Sequence, residues 1–288
     1  MRYALNHAVL AATQRREQRS SLYAMMPGLL LVALVIGPSL WLAFLSFYAN
    51  GQPSLEHYQR ILDNPSYTSI MLNTLHLSVV VTVIVVLLGY PTTYAITLLP
   101  KRGSAVALAC VAIPFWTSLL VRTYAWMVIL QRNGVLNGWM LDLGLIERPV
   151  RMANSFLGTT IGMVHIMLPF FIFPLYAILR SIDPNLVRAA YSLGASPSRA
   201  FIDVFLPLSR QGVMAGGLLT FVLCLGFYVT PQLLGGGNVT TISMKIEQNI
   251  TAYSDWGAAS ALAVVLIVVV GLILLVSRWL TTRGAAWR

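Results

Sequence analysis

Residues Ser181 to Gly212 read SIDPNLVRAAYSLGASPSRAFIDVFLPLSRQG, a polar stretch set between two apolar runs. Its local chemistry predicts two short helices joined by a corner. Asp183 has the carboxylate of a helix cap, and Pro184 takes the first helical position, where no backbone donor is missed. Leu186, Val187, Ala189, Ala190 and Leu193 form an apolar stripe, and Gly194 is the expected left-handed stop. Ser196-Pro197 restarts a helix by the same logic, and Leu206-Pro207 is expected to end it. The stretch is a helical elbow.

Working outward, the chain is 57% hydrophobic and 10% charged over 288 residues. Several apolar runs reach the roughly 20 helical residues needed to cross a bilayer core. A soluble domain of this length has no room to hide them all. Helical runs without period-2 alternation exclude an outer-membrane barrel. The predicted fold is all-α, a polytopic membrane protein with six transmembrane helices. The spans are Met25–Tyr48, Ser69–Leu99, Ser104–Leu130, Phe156–Leu179, Gly212–Leu234 and Ala258–Leu280. Pro91, Pro114, Pro169 and Pro174 lie inside them and are expected to kink helices. Gly212, Gly216, Gly217 and Gly226 mark the fifth span for close helix approach. Cys110 and Cys224 fall within apolar runs and read as small buried hydrophobes.

Residues 1–24 form a basic segment expected to be cytoplasmic. The apolar run after it is too long for a signal peptide, so it reads as a retained first span. The division is then 1–24, a permease domain 25–281 containing the elbow 181–212, and a cytoplasmic tail 282–288. With both termini inside, the inner segments carry 13 Lys and Arg against three acids, and the outer loops five against six. Net charge is thus +10 inside and −1 outside, with Arg122 counted in the third span. Basic excess marks the cytoplasmic side, which places the elbow there. The same asymmetry accounts for the +10 total without nucleic acid, for which no binding module is visible.

No Asp or Glu falls within a predicted span. Ion-coupled carriers use intramembrane carboxylates, so an ion-coupled secondary transporter is the weaker alternative class. A membrane-embedded enzyme needs converging nucleophiles, bases or metal ligands. The spans offer only His76 and His165, read as packed or hydrogen-bonded histidines. Gly235-Gly236-Gly237 lacks a following G-K-[ST] and reads as a turn, not a phosphate cradle.

Within the elbow, Arg188, Ala189, Ala190, Leu193, Gly194, Ala195 and Ser196, with Arg199 and Leu206-Pro207, follow the pattern A-A-x-x-L-G-A-S and a later L-P. This resembles the EAA loop of permease subunits in bacterial binding-protein-dependent ABC importers. Its acidic residue is replaced here by Arg188, for which an acidic or carbonyl partner is expected, Asp203 being one candidate. Asn73-Thr74-Leu75, Leu88-Gly89-Tyr90-Pro91 and Tyr94 are similar to the start of the permease core. Pro114 to Ser118, Arg122 to Trp126, Asn133-Gly134, Gly226-Phe227, Pro231 and Leu233 to Gly236 resemble the PotB-type branch of spermidine/putrescine importers.

The resemblance implies a type I importer permease of the inner membrane. It implies four kinds of partner: a PotC-like second permease, two ATPase subunits, an external solute-binding protein and membrane lipid. The chain would be no enzyme and carry no cofactor, with ATP and Mg on the ATPase. It also implies that the elbow residues from Arg188 to Ser196 couple to that ATPase.

A polyamine is best held by aromatic faces and carboxylates. Trp116, Tyr124, Trp126 and Tyr228 are the candidate path, with Asp142, Glu247 and Asp255 near its outer mouth. Arg122 opposes that reading and suits a carboxylate, so an amino-acid-derived or opine-like carboxylated amine is the alternative solute. On a straight third span Arg122 would lie roughly 28 Å from the inner end, near the outer boundary, one turn from Trp126. Trp116 and Tyr124 would share another face, about 80° apart. Arg122 then reads as an anchor that snorkels, and the polyamine as the solute.

Overall fold

The computed structural model describes residues 25–49 and 51–285. The basic segment 1–24 and the last tail residues, 286–288, lie outside the described residues. Helix α1 spans Met25–Leu45 and leads into a two-stranded hairpin, β1 Tyr48–Ala49 and β2 Gln52–Pro53. Then follow α2 Glu56–Asp63, α3 Pro65–Leu98, α4 Lys101–Ala112, α5 Leu119–Leu130 and α6 Val135–Asp142. Next come α7 Phe156–Ser181, α8 Pro184–Ser192, α9 Pro197–Ala200, α10 Leu206–Leu225, α11 Val229–Leu234, α12 Ile242–Thr251 and α13 Trp256–Ala285. Among the described residues five helices are long and apolar enough to cross a membrane, or six where the pair Lys101–Trp116 and Leu119–Asp142, bent through 96°, is counted as one span. The chain is a multi-pass helical membrane protein.

The core lies where α3, α7 and α10 meet. Phe171 of α7, 0% exposed, is its centre. Two neighbours reach it only because they lack side chains. A Cβ on Gly89 of α3 would come within 2.5 Å of the Phe171 ring, and one on Gly216 of α10 within 2.9 Å of both its ring and its carbonyl oxygen. Gly212 is held the same way against Leu175 and Ile178. This is the close approach expected of small residues between membrane helices. Gly217 and Gly226 do not share the role: the first meets only Val86 Cγ2 at 3.8 Å, the second nothing. Gly216→Val should therefore lower the thermal inactivation temperature of the purified protein, since overpacking costs about 1–3 kcal/mol. Gly217→Ala, one position along, should leave it equal or higher. Equal losses in the two variants would refute this packing account.

Two spans depart from expectation. The third is not one helix. α4 passes into a 3-10 turn at Ile113–Trp116, the chain extends at Thr117 and Ser118, and α5 leaves at 96°. Pro114 stands in the turn and Thr117 Oγ1 closes onto its carbonyl at 2.8 Å. By contrast α3 and α7 continue through Pro91, Pro169 and Pro174. The fifth span begins earlier and ends sooner than Gly212–Leu234, as Pro197–Leu225. Cys224 is buried as expected, but Cys110 is exposed, on an outward face of α4.

Candidate functional site

The elbow is built as its capping residues dictate. The Asp183 carboxylate accepts the Asn185 amide at 2.9 Å, with Pro184 at the first position of α8. At the other end Ala195 N–H donates to the Ala190 carbonyl and Gly194 N–H to that of Tyr191, both at 3.0 Å. That pair of bonds is a Schellman closure, and it requires the left-handed φ of +84° found at Gly194. Ser196 then caps the next turn through the Arg199 amide at 3.4 Å, with Pro197 following.

Leu206-Pro207 does not stop that helix. The backbone widens into a π turn at Phe201–Phe205, where Leu206 N–H reaches back to the Phe201 carbonyl. The wider turn relieves the ladder at Pro207, which has no donor of its own. α9, the π turn and α10 thus form one run from the elbow into the core.

No residue of α8 is buried in this chain. Leu186 and Tyr191 are exposed, and Leu193 is 89% exposed. Ala189 and Gly194 lie open beside them, Ala190 and Ala195 are half-buried, and Ser196 is exposed. A capped helix presenting leucine and tyrosine to the outside is a surface that fits a partner. Arg188 Nη1 donates to Asn185 Oδ1 at 3.5 Å, a carbonyl partner inside the elbow. Asp203 forms no ion pair with it among the described residues.

What sequence reading missed is how the elbow grips the core. Phe201 and Phe205 stack at 5.7 Å, and Tyr94 of α3 meets them edge-on at 5.2 and 5.1 Å. One turn along, the Tyr90 hydroxyl bonds Ser209 Oγ of α10 at 2.9 Å. A signal was present: both aromatic pairs are spaced i, i+4, which puts each on one helix face. The run that follows α8 is thereby tied to both α3 and α10.

The broken third span rearranges the candidate path. Trp116 ends the 3-10 turn and Tyr124 lies beyond the bend, so the straight-helix depth of Arg122 and the 80° relation do not hold. Trp116 is 83% exposed and Tyr124 52%. Trp126 is engaged within the chain: its indole Nε1–H donates to His165 Nδ1 of α7 at 3.2 Å, the rings edge-on. His165 is therefore hydrogen-bonded, and His76 stacks on Phe156 at 5.0 Å. Arg122 shares a helix face with Trp126. Its Nε is buried with no hydrogen-bond partner. α5 is tied to α11 through Thr123 and Thr230 hydroxyls at 3.3 Å, which brings the Arg122–Trp126 stretch beside Tyr228.

At Tyr228, burial and the neighbouring Glu247 carboxylate push the phenol above its ordinary value. Of the other two outer acids, Asp142 ends α6. Asp255 caps α13 through the Ala258 amide at 2.9 Å and faces Arg60 at 3.4 Å. The structure thus joins α5 to α7 through Trp126 and His165 and to α11 through Thr123 and Thr230, while Trp116 and Tyr124 stand exposed on either side of the bend.

Residues 8–283 match the family model described as binding-protein-dependent transport system inner membrane component. The spermidine/putrescine transport system permease protein PotB of Escherichia coli K12 is 34% identical over 260 residues, 88% of this chain and 94% of that one. PhnU of Salmonella typhimurium LT2, a permease protein named for 2-aminoethylphosphonate transport, is 29% identical over 252 residues, 87% of this chain and 88% of that one. A chain of a bacterial alginate ABC transporter, crystallised in complex with an alginate pentasaccharide-bound periplasmic protein, has the same fold. Its TM-score is 0.71 at 18% identity, covering 91% of this chain and 94% of that one.

Proposed function

The chain belongs to the binding-protein-dependent transport system inner membrane components, and on that premise we propose that it forms half of the path by which an ATP-driven importer takes up a polyamine such as putrescine or spermidine. The observation that carries the solute class is the 34% identity to PotB over most of both chains. The aromatic rings at the bend and the Tyr228–Glu247 pair are chemistry that suits a flexible cation. The chain itself is a transport subunit and not an enzyme.

In this reading α8 seats in a groove of an ATPase that holds ATP and Mg. The small residues Ala189, Ala190 and Gly194 allow its backbone to come close, and Leu193 and Tyr191 fill the contact. Closure of the ATPase pair would move α8, and the Phe201–Phe205–Tyr94 cluster and the Tyr90–Ser209 bond would pass that motion to α10 and α3. A PotC-like permease would supply the other half of the path, and an external binding protein would deliver the solute. ATP-dependent uptake of labelled spermidine by the reconstituted assembly tests the whole; uptake driven by an ion gradient without ATP would defeat it.

A specific pair of observations favours a second solute. Arg122 brings a cation with an unmet buried Nε to the same region, and PhnU shows that the wider group includes a relative named for an amine that bears an anion. An amino-acid-derived or opine-like carboxylated amine is the reading they support.

Orientation follows from the basic asymmetry. The segment before Met25, the elbow and the tail are cytoplasmic in this reading, and the α6, α12 and hairpin end is external. Single cysteines at Ser20, Ser198 and Ala286 should resist an impermeant maleimide in intact cells and react after permeabilisation, whereas one at Glu147 should react at once. Labelling of the first three in intact cells would invert the topology.

A further inference from the structure

A concave region lies away from the bend. It is a cavity of about 800 Å³ between the end of α1, the hairpin, α2 and the α12–α13 turn. Of the residues assigned to the candidate path and its outer mouth, Asp255 alone lines it. Its wall combines exposed indoles of Trp41 and Trp256 and the ring of Tyr253 with the carboxylates of Glu56 and Asp255 and the guanidinium of Arg60.

Its charge is only loosely satisfied. Arg60 reaches Glu56 at 3.5 Å and Asp255 at 3.4 Å, well beyond the about 2.7–2.9 Å of a tight charge-assisted bond. The pairs are also open to solvent, where such contacts contribute little. Asp255 has its second oxygen committed to the cap of α13. Glu56 has no comparable backbone role, so it is the carboxylate an incoming cation can take from Arg60. The rings already serve such chemistry inside the chain: Lys245 Nζ stands 5.2 Å over Tyr253. His57, 6% exposed in the same wall, donates Nε2–H to the Tyr48 carbonyl at 3.1 Å and leaves Nδ1 buried without a partner.

Two carboxylates, one guanidinium and three aromatic faces around a ligand-sized space are the composition of a site for an organic ammonium ion. We propose that this cavity binds an alkylamine, separately from the path at the bend, at the end of the bundle assigned above to the outside. A polyamine carries such a group at each end; in taking that occupant the inference rests on the proposed solute, although the cavity's own chemistry calls only for an ammonium group. A lipid with an amine headgroup offers the same ammonium, and the choice made here is the amine in solution.

The test uses the assembled transporter, purified with its partner subunits and without the external binding protein, in dodecyl maltoside micelles that carry neither amine nor charge. Equilibrium dialysis with labelled spermidine should show saturable binding. Glu56→Gln and Trp41→Ala, both at exposed positions, should each weaken it about tenfold. Leu62→Ala, exposed on α2 but outside the cavity wall, should leave this binding in place. Adding phosphatidylethanolamine should not displace spermidine. The proposal falls if the Glu56 and Trp41 variants bind as the unaltered protein does, if no saturable binding is found, or if phosphatidylethanolamine competes. The proposed solute fails independently: spermidine bound in this cavity without ATP-driven spermidine uptake would keep the site and remove the polyamine as cargo.

Discussion

Gly194→Val should lower ATP-driven uptake at least tenfold while leaving the membrane core folded. The position is exposed and a Cβ there would meet nothing within 4 Å, so added bulk is not the cause. The cause is its φ of +84°. That conformation costs an L-residue about 1–2 kcal/mol, and a β-branched side chain more. The strain is relieved by opening the Schellman closure, which frees the carbonyls of Ala190 and Tyr191 and turns α8 away from its docking angle. A loss of at least tenfold in uptake is expected, about 1.4 kcal/mol in coupling free energy. Gly194→Asn separates backbone from bulk, because asparagine tolerates the left-handed region. It should retain most of the activity that valine removes. Co-purification of the ATPase should follow the same order, and the thermal inactivation temperature of the membrane core should stay constant. Full uptake by Gly194→Val would show that the corner is only a connection between spans.

Much of this was legible before any coordinates. Caps act within three or four residues, so Asp183-Pro184, Gly194 and Ser196-Pro197 each declared their structure locally, and all three hold. Span existence was equally plain, since hydropathy integrates over a whole helix. What failed were inferences that treated a proline or glycine as having one meaning. Pro207 does not stop its helix, because a π turn absorbs it; Pro114 does more than kink one, since it helps break a span through 96°. Gly226 was read as a packing residue, yet it ends α10. Which outcome prevails depends on whether neighbouring helices satisfy the freed backbone groups, and that information is not local. The solute path suffered most. A straight third span would carry Arg122, Trp116, Tyr124 and Trp126 on one helix; the bend between Trp116 and Leu119 removes that angular relation, and α5 bonds instead to His165 of α7 and Thr230 of α11.

Trp116→Ala should lower spermidine uptake about tenfold, with Tyr124→Ala following at a smaller loss. Each cation–π contact contributes about 0.5–2 kcal/mol, the larger values where water is excluded. Trp116 is the more exposed of the two within this chain and stands at the bend without a ring partner among the described residues, so its whole face is available to a solute. Trp126 behaves differently. Its indole is bound to His165, so Trp126→Ala should cost stability before it costs selectivity. Arg122 decides between the two solutes by sign. A fixed cation repels an ammonium, so Arg122→Gln should leave polyamine uptake equal or raised; a carboxylated amine would instead lose its anion partner and its uptake. Because that substitution also alters the surroundings of Trp126 and His165, the measurement is the ratio of inhibition by unlabelled spermidine to inhibition by a carboxylated amine. The ratio is independent of how much folded transporter is present. Arg122→Lys keeps the charge and discards the planar fork, so it should preserve the ratio if only charge matters and shift it toward spermidine if a carboxylate was held by two N–H donors. Competition by the carboxylated amine alone, abolished in Arg122→Gln and indifferent to Trp116→Ala, would overturn the polyamine and move Arg122 from the wall of the path to its centre.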